Sequence, residues 1–114
     1  MPLNSYLYPL GLLALSNLFM TAAWYWHLKY KGVPIFTVIL ISWGLAFIEY
    51  CLAVPANRMG SAVYSAAQLK TAQEVITLLV FAGFSTFYLG QPLTWNTVIG
   101  FAFIAFGAFF IFRG

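Results

Sequence analysis

Four long apolar segments, separated by short polar turns, limit what this chain can fold into. They cover about residues 6–26, 34–54, 61–88 and 95–112, and each is near the ~20 residues that an α-helix needs to cross ~30 Å of hydrocarbon. Short connections between such helices make successive helices antiparallel neighbours. The sequence therefore predicts an all-α membrane protein in which residues 1–114 form a single bundle of four transmembrane helices.

The small number of charged residues favours a lipid bilayer as the partner of this fold. Hydrophobic residues make up 63% of the chain and charged residues 6%, whereas soluble domains are about a quarter charged. The net charge of +3 comes from scattered residues without a Lys/Arg cluster, so no nucleic-acid partner is expected. With one cysteine (Cys51), one histidine and two acidic residues, no metal site and no cofactor are expected.

A polar stripe interrupts the third apolar segment. Four residues there follow the spacing i, i+3, i+4, i+7, which places them on one face of a helix: Lys70, Gln73, Glu74 and Thr77. A charge at the centre of a lipid-facing helix costs about 2.5–3.5 kcal/mol on insertion scales. The stripe is therefore predicted to face the bundle interior or water, with Glu74 near the bilayer midplane.

The second acidic residue, Glu49, lies near the end of the second segment, at a depth comparable to that of Lys70. Three roles for these charges stay open. Lys70 could pair with Glu49 or Glu74 and so neutralise buried charge. Glu74 could instead bind a proton or a substrate, with Lys70 adjusting its proton affinity. Finally, Glu49 or Lys70 could extend to the membrane interface.

Other polar or small residues have two interpretations each. Asn17, in the first segment, either bonds a neighbouring helix or lines a cavity. Arg58, after a turn at PAN, either anchors this loop or gates a passage. Gly100 and Gly107 share one face of the last segment, where small residues permit close packing within one chain or across a dimer. No catalytic nucleophile–base set or nucleotide fingerprint is present, so an enzyme is not expected.

Several runs of the sequence resemble a known superfamily. The ending LGQPLTWNTVIGFAFIAFGAFFIFRG resembles the closing helix of a repeat in drug/metabolite transporters, with its Gly-Pro turn and spaced glycines. The runs WYWHLK, IEYCLAVPANRMG and AQLKTAQEVITLLVF are similar to a short four-helix branch of unknown function, related to the small multidrug resistance exporters. The resemblance implies a four-helix unit that dimerises. Those exporters use a glutamate in their first helix, where this chain has no acid, so Glu49 or Glu74 would have to supply the carboxylate.

These observations lead to one functional prediction and one alternative. We expect a small-molecule transporter that acts as a homodimer in a bacterial inner membrane and is coupled to protons through Glu74. Lys70, Gln73, Thr77, Glu49 and Asn17 are the other candidates for the substrate or coupling site. The alternative is a non-transporting structural or accessory subunit of a larger membrane complex, in which the polar stripe pairs with partner helices.

Overall fold

Four α-helices form the computed structural model of the protein, which describes residues 3–113. Helix α1 (Leu3–Tyr25) continues into a short 3₁₀ turn (Trp26–Lys29). Helices α2 (Ile35–Gly60), α3 (Ala66–Phe87) and α4 (Trp95–Arg113) follow. The described residues contain no strand, and the prediction of an all-α membrane fold is confirmed.

The local sequence explains where several helices begin and end. Ser65 caps α3, because its side chain accepts a hydrogen bond from the Gln68 amide while the Gln68 side chain accepts one from the Ser65 amide. Pro34 directly precedes α2, where the lack of an amide hydrogen costs nothing. After α3 the chain turns at Gly90, whose φ of 71° lies in the left-handed region that glycine adopts without strain.

The end of α2 differs from the prediction. The segment PANRMG was expected to be a loop, but α2 continues through Pro55 to Gly60, and α3 begins at Ala66 rather than near residue 61. Pro55 removes one backbone hydrogen bond, a loss that membrane helices tolerate. The packing of Ala56 and Gly60, both buried, compensates for that loss. Arg58 therefore lies in the last turn of a helix rather than in a tight loop.

The helices pack as a flat, antiparallel bundle. Helix α1 contacts both α2 and α3, while α4 packs against α3. The bundle measures 49 × 34 × 18 Å, so its thinnest dimension is about that of two packed helices. The termini of the described chain and the α2–α3 turn meet at one end, where the Tyr64 ring contacts the rings of Tyr6 and Phe112.

A small core holds α1, α2 and α3 together near that end. Leu13 and Ala56 are fully enclosed and Leu69 is nearly so. Gly60 lies where α1, α2 and α3 come closest: a Cβ atom there would be 2.6 Å from Leu69 Cδ2 and 3.2 Å from Pro9 Cβ. In contrast, none of the α4 side chains is buried. The edge position of α4 leaves five of its six phenylalanines exposed to the surroundings of the protein.

Three of the four helices have the length and apolar composition of a membrane span: Leu3–Lys29, Ile35–Gly60 and Trp95–Arg113. Helix α3 is not among them, because its first half carries the polar residues Gln68, Lys70, Gln73 and Glu74. Of the four predicted spans, three are therefore apolar enough to cross a membrane by composition alone, and the one with the polar stripe is not. Helix α3 is held in the bundle by its contacts with α1 and α4.

Candidate functional site

The two charged residues of the α3 stripe bind each other. Lys70 Nζ lies 2.8 Å from Glu74 Oε1, one helical turn away. The side chains are 72% and 54% exposed, so the pair lies on the surface of the single chain. Of the two pairings considered for Lys70, the described residues form the one with Glu74 and not the one with Glu49.

The other two residues of the stripe point toward neighbouring helices. Gln73 Nε2 donates a hydrogen bond to Asn57 Oδ1 of α2, at 2.7 Å. Thr77 Oγ1 donates to Asn17 Oδ1 of α1. In the single chain, Gln73 and Thr77 thus face the bundle, while Lys70 and Glu74 lie on its exposed surface. At about 100° per residue the four side chains spread over about 100° of the helix surface, so one edge contacts the bundle while the other stays open.

Asn17 of α1 bonds to the neighbouring helix α3, which is the first of the two roles considered for it. It is 8% exposed, accepts the Thr77 hydrogen bond, and donates through Nδ2 to the Leu13 carbonyl at 2.8 Å. Both ends of the amide group are therefore occupied. A bound solute would have to displace Thr77 to reach Asn17.

A groove opens beside the polar stripe, between the end of α2 and the start of α3. Its volume is about 330 Å³, and it is lined by Asn57, Ser61, Ala66, Leu69, Lys70 and Gln73. Asn57 had not been singled out from the sequence, because it lies in the segment that was predicted to be a loop. The spacing of Ala53, Ala56 and Gly60 could have revealed it, since small residues on one face are typical of a helix that continues and packs.

Glu49 lies away from the α3 stripe. It is enclosed between α1 and α2, in the surface along which these two helices pack, which we call the α1–α2 seam. It is 8% exposed, and its Oε2 atom has no hydrogen-bond partner. The contact of Ala56 with Leu13 and the hydrogen bond from Trp26 Nε1 to Ser42 Oγ (3.0 Å) fix the antiparallel register of these helices. This register places Glu49 opposite about residue 20, in the last third of α1 and near Thr21, which is itself 1% exposed.

The remaining candidates lie outside this cluster. Arg58 is exposed near the C-terminal end of α2, where the helix dipole favours a positive charge. The Arg58 carbonyl accepts a hydrogen bond from Ser61 Oγ at 2.7 Å. Cβ atoms added at Gly100 and Gly107 would meet nothing within 4 Å, so these glycines do not serve close packing within the described chain. Their role in a dimer stays a prediction.

The end of the bundle opposite the groove is rich in aromatic side chains. Lys29 Nζ lies 4.6 Å from the centre of the Tyr88 ring, within the range of a cation–π contact. Burial, together with the neighbouring Tyr30 hydroxyl, raises the pKa of Tyr88 above its ordinary value, so the ring stays neutral. The Trp26–Ser42 hydrogen bond lies at the same end, as expected for residues at a membrane interface.

The Thr77–Asn17 hydrogen bond provides a test of how α3 is held. Replacing Thr77 by valine keeps the shape of the side chain and removes the donor to Asn17. We expect the free energy of unfolding to fall by about 0.6 to 2 kcal/mol, the range found for hydrogen bonds between membrane helices. Denaturant titration in detergent measures this change. Thr86→Val is the matched control because Thr86 is exposed on the same helix, and an equal loss in both variants would contradict the assignment.

The comparison with known families matches almost the whole chain. Residues 9–112 match the family model DMT_6, whose description reads "Putative member of DMT superfamily (DUF486)". The matched range includes every residue of the stripe, the groove and the α1–α2 seam. No curated protein and no solved structure matches the chain.

Proposed function

Because the chain belongs to the DMT_6 family of the DMT superfamily, we propose that it is a membrane transporter for small molecules. In this proposal two copies form the working unit, all four helices cross the membrane, and the α3 stripe of each copy faces the other. A bacterial inner membrane stays the predicted location.

The observation that carries this proposal is the exposed polar edge of α3. The Lys70–Glu74 pair is more than half exposed on a chain whose other surfaces are largely apolar. Charges facing lipid are costly, at about 2.5–3.5 kcal/mol each near the centre of a helix. Covering this edge with the same edge of a second copy would place the charges in a polar space between subunits. Transporters built from repeats bind their substrates in such a space between the repeats.

The size of the groove supports the same arrangement. One groove has a volume of about 330 Å³, close to the lower limit of ligand pockets, which is about 300 Å³. Two grooves facing each other would enclose about twice this volume. Asn57, Ser61 and Gln73 would offer hydrogen bonds to the solute, while Leu69 and Ala66 would contact its apolar part.

A flux measurement tests the proposal. The protein is reconstituted into liposomes, and uptake of quaternary ammonium dyes, polyamines, amino acids and short organic acids is followed under an imposed pH gradient. We expect Gln73→Leu to lower the flux of a transported solute roughly ten-fold, since losing about 1.4 kcal/mol of binding is a factor of ten. Gln91→Leu is the matched control, because Gln91 lies outside the groove.

Two outcomes would contradict parts of this proposal. A wild-type flux equal to that of empty liposomes for every solute tested would contradict transport. An unchanged flux in Gln73→Leu would contradict the groove as the solute site. Reproducible co-purification of the same other membrane proteins, in the absence of flux, would instead support the accessory-subunit alternative.

A further inference from the structure

We propose that Glu49, rather than Glu74, binds the proton that drives this transporter, and that the α1–α2 seam is its binding site. This inference rests on the proposed function. It also replaces the expectation, drawn from the sequence, that Glu74 couples transport to protons. Three features carry it: the enclosure of Glu49 and, among residues 3–113, the missing partner of its Oε2 atom and the absence of a positive charge nearby.

The enclosure of Glu49 decides which protonation state fits the seam. The side chain is 8% exposed, and Oε2 receives no hydrogen bond. An ionised carboxylate accepts hydrogen bonds at about four positions and requires them when it is removed from water. Burying an unpaired ionised carboxylate costs far more than burying a neutral polar group. The closed seam therefore fits the neutral carboxylic acid.

No positive charge faces Glu49 from the described parts of the helices around it. Helix α1, which packs against it, contains no Lys, Arg, His or acid. On α2, the neighbouring titratable groups Tyr50 and Cys51 are exposed, and Arg58 lies nine residues away, about 13 Å along the axis. On α3, Lys70 and Glu74 are already paired with each other. A proton is the one cation that fits the seam without further ligands.

Glu74 has the opposite surroundings. Its Oε1 lies 2.8 Å from Lys70 Nζ and its side chain is 54% exposed, so it has both a charged partner and access to the surface. The two acids of the chain thus have different roles. Glu74 belongs to an ion pair at the groove, and Glu49 is the group that can gain and lose a proton as the seam closes and opens.

Helix α2 links the seam to the groove. Two turns beyond Glu49, the same helix carries Asn57, which accepts the hydrogen bond from Gln73 at 2.7 Å in the groove. When Glu49 releases its proton to water on one side of the membrane, the resulting carboxylate requires water and the seam must open. Any movement of α2 away from α1 then displaces Asn57 relative to Gln73. Protonation from the other side closes the seam again.

Infrared spectroscopy tests the protonation without depending on transport. The chain has two acidic side chains, so the carbonyl absorption of a protonated side-chain carboxyl can be assigned by comparing Glu49→Gln with Glu74→Gln. In the full-length protein in liposomes at neutral pH, we expect this band in the wild type and in Glu74→Gln, and we expect Glu49→Gln to lack it. Size-exclusion profiles and amide absorption check that both variants are folded. A band that persists in Glu49→Gln, or is absent from the wild type, overturns the proposal.

Transport measurements on the same variants then test the proton site at Glu49 separately from the proposed transport function. We expect Glu49→Gln to lose the acceleration of solute flux by a pH gradient. An unchanged pH dependence in Glu49→Gln overturns the coupling role of Glu49. If the wild type transports no solute while the band follows Glu49, the proposed function fails but the proton site stands.

Discussion

Replacing Gly60 by leucine is expected to destabilise the protein more than any other change on the apolar face of α2. A Cβ atom at this position would lie 2.6 Å from Leu69 Cδ2 and 3.2 Å from Pro9 Cβ. The Leu69 methyl group can rotate away, but the Pro9 ring cannot. A leucine therefore forces α1, α2 and α3 apart where they pack most closely. Such overpacking costs about 1–3 kcal/mol and sometimes more, which thermal and denaturant unfolding in detergent will measure.

Two further substitutions make this prediction specific to the contact. Gly44→Leu is the matched control: it lies on the same helix, and a Cβ there would meet nothing within 4 Å. It should leave the unfolding free energy nearly unchanged. Gly60→Ala should have an intermediate effect, since its one methyl group requires the Leu69 side chain to shift but Pro9 to move by only a few tenths of an ångström. Equal effects of leucine at Gly60 and Gly44 would show that α1 and α2 do not pack as described.

The sequence was sufficient to predict the helices but not the end of α2. The apolar segments located all four helices because an apolar run of this length has few other folds. The segment PANRMG contains a proline and polar residues, which usually end a helix. Whether α2 stops there depends on whether Ala56 and Gly60 pack against another helix. That helix is α1, whose contacting residues lie more than forty positions earlier in the chain. Local sequence does not contain this information.

The polar stripe shows a similar limit. Its spacing correctly placed the four residues on one side of α3. Which of them would contact other helices depended on the rotation of α3 about its axis. Two hydrogen bonds determine that rotation: Gln73 bonds to Asn57 of α2, and Thr77 bonds to Asn17 of α1. Because a stripe with this spacing is about 100° wide, one of its edges can contact the bundle while the other stays exposed.

Glu49 shows the clearest limit of sequence reasoning at the candidate site. Its depth in the second segment could be counted from the sequence, and its depth matched that of Lys70. Equal depth suggested an ion pair, but an ion pair also requires both side chains to point toward each other. Glu49 turns toward α1 and Lys70 toward the surface. The direction of a side chain around its helix had to come from the packing.

Replacing Lys70 by methionine is expected to weaken the proposed dimer more than one hundred-fold. If the α3 edges face each other in the membrane, the change leaves the Glu74 carboxylate without its partner at 2.8 Å. Leaving one member of a buried pair uncompensated costs about 3–5 kcal/mol, and every ~1.4 kcal/mol is a factor of ten in affinity. Fluorescence energy transfer between labelled subunits, diluted stepwise in lipid, measures the dissociation.

The double variant Lys70→Met/Glu74→Gln decides between a covered and a water-exposed α3 edge. With both charges removed, no unpaired carboxylate remains, so the dimer should recover most of its affinity. The resulting coupling energy should be several kcal/mol if the edge is covered, whereas an exposed pair one turn apart on a helix contributes about 0.3–0.5 kcal/mol. Lys31→Met is the matched control, because Lys31 is exposed in the loop before α2. If Lys70→Met is as harmless as Lys31→Met, the Lys70–Glu74 pair is in contact with water, and the substrate path proposed between subunits must lie elsewhere.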